Sequence, residues 1–252
     1  MNLSLIIAYL LTVYILLAFF YFSIFKKDYF VNSEIDSRHS SIILGKFVRK
    51  FWFWLTNPIV KILIYFKIKP NYITVASLII MIFAALLFAT GSILTGGLVL
   101  AIAGCGDYLD GRVARKLGME SKPGVFLDSC LDRYSEGIFF LGLFYLYRDN
   151  LFLFLITGLT FISSIGISYV KAKSEALGIK NDVGIMQRPE RLTWLSIGSI
   201  SSPMIIFIVN YFFGMQFDEK ILFEIILVLI AFGTFSTSLK RLLYGFKVLE
   251  QN

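Results

Sequence analysis

The chain has 252 residues, of which 57% are hydrophobic, 17% aromatic and only 16% charged, with a formal net charge of +7. That apolar content excludes a domain whose main solvent is water. Two cysteines, Cys105 and Cys130, with no CxxC spacing, and a single histidine leave no material for zinc clusters, disulfide frameworks or histidine triads.

Apolar runs of roughly 18 residues or more, the length that at about 1.5 Å per residue crosses ~30 Å of hydrocarbon, recur along the chain, and seven spanning segments are read, at about 3–25, 72–91, 97–112, 124–146, 151–171, 192–212 and 221–240. The first lacks the basic leader and small-residue cleavage site of a signal peptide, so it is kept as a transmembrane helix. After it, the segment 41–66 mixes Lys46, Arg49, Lys50 and Lys61 with Phe51, Trp52, Phe53 and Trp54, and is broken at Asn57-Pro58. A stretch too charged to insert, with aromatic rings suited to headgroup depth, predicts an amphipathic helix lying in the interface beside membrane lipid. Placing Lys26 and Lys27 in the cytoplasm puts 21 of the 24 Lys and Arg residues on that side, in 26–71, 112–123, 171–191 and 240–252. Only Arg148 and Lys220 then face outward, and Arg133 falls in a span. The basic excess is therefore a topology signal rather than a footprint for nucleic acid, with the N-terminus out and the C-terminus in. The expected fold class is an all-α polytopic membrane protein. Residues 1–66 supply an extra N-terminal transmembrane helix and the interfacial helix, and 67–252 a six-helix transmembrane domain.

Asp107 and Asp110 lie near the end of the third run, Asp128 and Asp132 near the start of the fourth. A carboxylate at the centre of a spanning helix costs at least ~2.5 kcal/mol on insertion scales, so four of them in 26 residues mark a functional site. The i,i+3 and i,i+4 spacings put each pair on one helix face. The two helices are expected to be adjacent and antiparallel across a short cytoplasmic loop, so both pairs converge on one point. Four converging carboxylates repel one another and require a cation. Hard oxygen ligands favour one or two Mg²⁺ or Mn²⁺ ions, which commonly work together with substrate phosphates. Gly111, a close-approach glycine, and the cations Arg112, Arg115 and Lys116 between the pairs suit a diphosphate. A purely structural Asp/Arg network is the bland alternative, although no helix bundle needs four acids in so short a stretch.

Asp107-Tyr-Leu-Asp110-Gly111-Arg-Val-Ala114-Arg115, followed after eight residues by Gly124-Val-Phe-Leu-Asp128-Ser-Cys-Leu-Asp132, resembles the signature of the CDP-alcohol phosphatidyltransferase family at every defining position. The resemblance implies that the six spans from Asn71 onward are the catalytic core. It also implies transfer of a substituted phosphate from a CDP-linked donor to an alcohol, with release of CMP. On that reading Asp107, Asp110, Asp128 and Asp132 hold the metal, and Asp132 is also the general base. Gly111, Ala114, Arg115 and Gly124 shape the nucleotide site. Pro70-Asn71-Tyr-Ile-Thr74 looks like a family element that opens the first core helix, which adds Asn71 and Thr74 to that site. A homodimer is a further implication.

For the acceptor, Tyr169-Val-Lys171-Ala-Lys173-Ser-Glu175 is similar to a segment of phosphatidylinositol-phosphate synthases, which use CDP-diacylglycerol and a phosphorylated inositol, though with Lys where that group usually has Arg. Arg133, Lys171, Lys173, Arg188 and Arg191 are the candidates for binding an acceptor phosphate. Positive-inside charge is the competing explanation for the lysines. The expected substrates are CDP-diacylglycerol and a small polar alcohol. A CDP-choline or CDP-ethanolamine type phosphotransferase acting on diacylglycerol and a phosphatidylglycerophosphate synthase are the alternatives within the family. An intramembrane prenyltransferase is the alternative outside it, disfavoured because its aspartate clusters lie on well-separated helices.

Overall fold

A computed structural model describes residues 3–25 and 46–251, and among these there are helices and short connections but no strand. The helices are α1 (Leu3–Phe25), α2 (Lys46–Tyr65), α3 (Pro70–Ala89), α4 (Ile93–Leu117), α5 (Lys122–Leu146), α6 (Leu151–Ala176), α7 (Arg188–Phe213) and α8 (Ile221–Glu250). Lys26, Lys27 and Arg38, which enter the topology argument, and the first residues of the predicted interfacial segment lie outside the described residues.

Local chemistry sets the ends. Pro70 and Pro189 occupy first-turn positions, where the missing N–H costs nothing. The Ser121 hydroxyl accepts from the Gly124 N–H at 3.2 Å and the Asn150 side-chain Oδ1 from the Leu153 N–H at 3.1 Å, as N-caps do. Gly118 ends α4 in the left-handed region at φ 63°, a conformation a side chain would strain. Helices α4, α6 and α8 run five to ten residues beyond the apolar stretches predicted for them. Hydropathy registers where the lipid stops, whereas the backbone ladder runs on until a cap ends it.

Six of the described helices are long and apolar enough to span a membrane; α5 is not among them. Its first half carries Asp128, Asp132, Arg133 and Glu136, which dilute its apolar character. It nonetheless packs in the bundle against α3 and α6. Around α3 are α4 and α5; α4 also packs on α7, and α8 on α6 and α7. Small residues allow the close approaches that helices in lipid rely on. A methyl group on Gly142 of α5 would strike the backbone of Ala85, and one on Gly106 of α4 the side chain of Ser77, both on α3. At the end of the bundle away from the aspartates, Phe88, Phe139 and Phe223 interlock, with ring centroids 5.2 and 5.6 Å from Phe88.

Two expectations change. Helix α2 is not broken at Asn57-Pro58 but continues through Pro58. The turn before Pro58 is held from outside the helix, by Arg112, which donates to the Phe53 carbonyl and to the side chains of Thr56 and Asn57. Helices α4 and α5 are also not close neighbours. Both pack on α3 rather than on each other, which leaves a gap between the two aspartate faces.

Candidate active site

Across that gap the four carboxylates still sense one another. Asp110 is repelled by Asp107 and Asp128, and Asp132 by the same two. Each is held differently. Asp110, 5% exposed, accepts a hydrogen bond from the Thr74 hydroxyl at 2.7 Å through Oδ2, and from the Gly111 N–H at 2.5 Å through Oδ1. Thr74 sits one turn into α3, where Pro70 starts the helix, so the Pro-Asn-x-x-Thr element delivers a hydroxyl to this aspartate. Asp107 and Asp132, from opposite sides of the gap, share one guanidinium. Arg188 Nη1 pairs with Asp107 Oδ2, and with Asp132 Oδ1 at 2.6 Å. The second oxygen of Asp132 lies 3.6 Å from the more exposed Arg133. Asp128 Oδ1 is buried with no hydrogen-bond partner.

No three His, Cys, Asp or Glu side chains among the described residues are drawn together as a metal shell. The donor set nevertheless fits a hard divalent ion: four carboxylates, Arg188 supplying positive charge where two of them meet, and a buried, unpartnered oxygen on Asp128.

Of the residues expected to shape a nucleotide site, Gly111 and Arg115 are together, the guanidinium lying 3.4 Å from where a Gly111 Cβ would stand. Gly124 and Asn71 are likewise together, with the Asn71 side-chain oxygen 3.5 Å from a Cβ built on Gly124. Ala114 is half-buried on the same turn of α4 as Arg115. Among the acceptor candidates, Arg188 reaches the aspartates directly. Lys173 is exposed, and Lys171 is paired with Asp182 at 2.9 Å and Glu175 at 3.8 Å. Arg191 lies beneath the site rather than in it. It is 1% exposed, donates to Glu136 Oε1 from Nε at 3.0 Å and Nη2 at 2.5 Å, and reaches the Met186 carbonyl from Nη1 at 3.1 Å. That pair joins α5 one turn beyond Asp132 to α7 one turn beyond Arg188.

Other residues that shape the site are invisible in the motif. The loop between α6 and α7, which leads into Arg188, is strapped to α8 and α6. Arg241 donates to the Val183 carbonyl at 2.8 Å and the Ile167 carbonyl at 3.1 Å. Asn181 donates to the Arg241 carbonyl at 2.9 Å and the Ser174 hydroxyl at 3.0 Å. Gly184, at φ 104°, adopts a conformation that side chains rarely take, beside Thr237. The one available signal was Arg241 near the end of the last span, and positive-inside charge accounts for that residue equally well.

Comparison with known proteins matches residues 67–234 to the family described as CDP-alcohol phosphatidyltransferase. The chain is similar to the archaetidylinositol phosphate synthase of Methanothermobacter thermautotrophicus, 35% identical over 184 residues that cover 73% of this chain and 86% of that one. It is 35% identical over 162 residues to the phosphatidylinositol phosphate synthase of Mycobacteroides abscessus, covering 63% of this chain and 74% of that one. Among solved structures it resembles the Mycobacterium tuberculosis phosphatidylinositol phosphate synthase in complex with manganese and citrate, with a TM-score of 0.64, 29% identity, and coverage of 76% of this chain and 88% of that one. The same enzyme with CDP-DAG bound gives a TM-score of 0.63 at 29% identity, covering 76% and 93%.

Proposed function

The chain belongs to the CDP-alcohol phosphatidyltransferase family, and from that premise we propose that it transfers a phosphatidyl group from CDP-diacylglycerol to an inositol phosphate, releasing CMP. The observation that carries the reading is the meeting of Asp107 and Asp132 at Arg188, beside Asp110 and the unpartnered oxygen of Asp128. The names of the similar proteins support the acceptor class, and the CDP-DAG-bound relative supports the donor.

On this reading Asp107, Asp110, Asp128 and Asp132 hold one or two Mg²⁺ or Mn²⁺ ions, and the manganese-bound relative supports that choice. When bound, the metal offsets the charge of the diphosphate and of the departing CMP. Thr74 keeps Asp110 in one orientation. Gly111, Gly124 and Asn71 leave the nucleotide a close approach to the backbone, with Ala114 beside it and Arg115 meeting its phosphate charge. Asp132 takes the proton of the acceptor hydroxyl as that oxygen attacks the phosphatidyl phosphorus. The bond from that phosphorus to the CMP oxygen breaks, and CMP leaves with the electron pair. Arg188, with Arg133, Lys171 and Lys173 on the same side, receives the phosphate of the acceptor. Arg191, paired with Glu136, orients Arg188. Residues 67–252 form the catalytic domain of an integral membrane protein. Its site faces the cytoplasm, with the N-terminus outside and the C-terminus inside, and the chain works as a homodimer.

The test is purified protein in detergent with CDP-diacylglycerol and a panel of acceptors: inositol phosphate, inositol, glycerol phosphate and serine. Products are identified by mass, with and without EDTA. Metal-dependent CMP release with inositol phosphate alone is expected. Turnover only with glycerol phosphate, or only with CDP-choline and diacylglycerol, would overturn the substrate assignment.

A further inference from the structure

Helix α2 lies wholly before the residues that match the family, 67–234, yet it grips the catalytic helix. The contact centres on Arg112, two residues past Asp110. A step of two residues turns an α-helix by about 200°, so Arg112 projects from the back of α4, away from the aspartate face. It is 1% exposed. Nη1 donates to the Thr56 hydroxyl at 2.6 Å and the Phe53 carbonyl at 3.2 Å, and Nη2 donates to Asn57 Oδ1 at 3.3 Å. The guanidinium also stacks on the Phe53 ring, 3.7 Å from its centroid. Thr56 spends its own proton on the Trp52 carbonyl at 2.6 Å, which leaves its oxygen free to accept from Arg112. One turn further along α2, Val60 is fully buried with Val113 of α4 and Ile73 of α3, the neighbour of Thr74. The α2 helix therefore backs the Thr74–Asp110 hydrogen bond from behind.

Burying a guanidinium is expensive unless its donors are met in fixed directions. A membrane anchor needs only apolar surface, and α2 already supplies that through the exposed Ile59 and Ile62, so the directional contact calls for another explanation. The site end of α4 lacks one source of support, since it does not pack laterally on α5. Carboxylates stand about 5 Å from a helix axis, so a rotation of roughly 20° would carry Asp107 and Asp110 by more than 1 Å. A misplacement of that size costs about 100-fold in rate.

We propose that Arg112 is a positioning residue. Held by Phe53, Thr56 and Asn57 of α2, it fixes the rotation of α4 that presents Asp107 and Asp110 to the metal and the diphosphate, and it makes the N-terminal helix pair part of the catalytic apparatus. This rests on the assignment of the aspartates as metal ligands given above.

The full-length protein and its Arg112→Met, Arg112→Lys, Thr56→Val and Arg112→Met/Thr56→Val variants would be compared by Mn²⁺ titration, read from the EPR signal of free Mn²⁺, and by the rate of CMP release. Arg112→Met is expected to weaken Mn²⁺ binding about tenfold and to lower CMP release about 100-fold. Thr56→Val should show a smaller loss of both, and the double variant should be no worse than Arg112→Met, because the two side chains act through one contact. Arg112→Lys should recover only a minor part, since an ammonium lacks the planar fork that reaches Phe53, Thr56 and Asn57 from two nitrogens while stacking on the Phe53 ring. Wild-type Mn²⁺ binding and CMP release in variants that merely melt earlier would overturn the proposal and leave α2 an anchor. Should Arg112→Met fail to fold, Thr56→Val and Asn57→Ala carry the same comparison. A wild-type protein that neither binds Mn²⁺ nor releases CMP would instead overturn the assignment of the aspartates.

Discussion

At one end of the bundle Phe88, Phe139, Phe140, Leu143, Leu153 and Phe223 fill the interior with hydrocarbon; at the other, Asp110, Arg112, Glu136, Arg191 and Arg241 are buried to 5% exposure or less. The two ends are stabilised by different physics. Apolar packing is non-directional and shared among many neighbours, so it holds helices together without fixing any atom closely. A buried ion or hydroxyl must meet its partner at about 2.7–3.2 Å or lose that contact, so the polar end fixes orientation. Stability and activity in this protein are therefore separable by depth along the helices.

The strongest way to break that separation is Asp132→Asn. Neutralising this carboxylate should lower CMP release about 10³-fold, while thermal unfolding in detergent stays within a few degrees of wild type. Equal CMP release by the variant would remove Asp132 from the chemistry. The converse at the other end is Phe139→Ala, expected to cost about 3 kcal/mol of stability with the Mn²⁺ requirement of the folded fraction unchanged; a shifted requirement would show the two ends to be coupled. Glu136→Gln sits at the boundary. It leaves the Arg191 guanidinium buried against a neutral amide, and should lower stability by about 3 kcal/mol as well as activity. A Glu136→Met/Arg191→Met pair should regain stability without regaining activity. Full recovery of both would make the pair merely structural. Thr74→Val is the mildest probe. Losing the 2.7 Å hydrogen bond to Asp110 should lower stability by only about 1 kcal/mol, with several-fold slower CMP release; wild-type CMP release would show that Thr74 does not orient Asp110.

The two ends also differ in how openly the sequence displays them. Asp107 with Asp110, and Asp128 with Asp132, are readable because three- and four-residue spacings are local and because acids are costly in an apolar run. Thr74 was readable as part of a motif, but its task of holding Asp110, 36 residues away, was not. Arg191 was expected beside an acceptor phosphate, yet its partner is Glu136, 55 residues earlier. Arg112 was read with the diphosphate loop, yet it faces α2, 56 residues before it. Cations at the ends of spans have the same composition whether they set topology, meet substrate or brace the interior. Only the direction of each side chain tells these apart.

By itself, the sequence determined that this is an all-helical membrane protein, and it singled out four carboxylates as the candidate site, because hydropathy, charge bias and helical spacing are properties of neighbouring residues. The tertiary structure alone decided that α3 stands against both aspartate helices, that Arg188 reaches Asp107 and Asp132 across the gap, and that α2 grips α4 through Arg112. The contacts of Arg188 and Arg112 join residues 56 to 81 positions apart, and their geometry depends on helix rotation and offset, which no local pattern encodes.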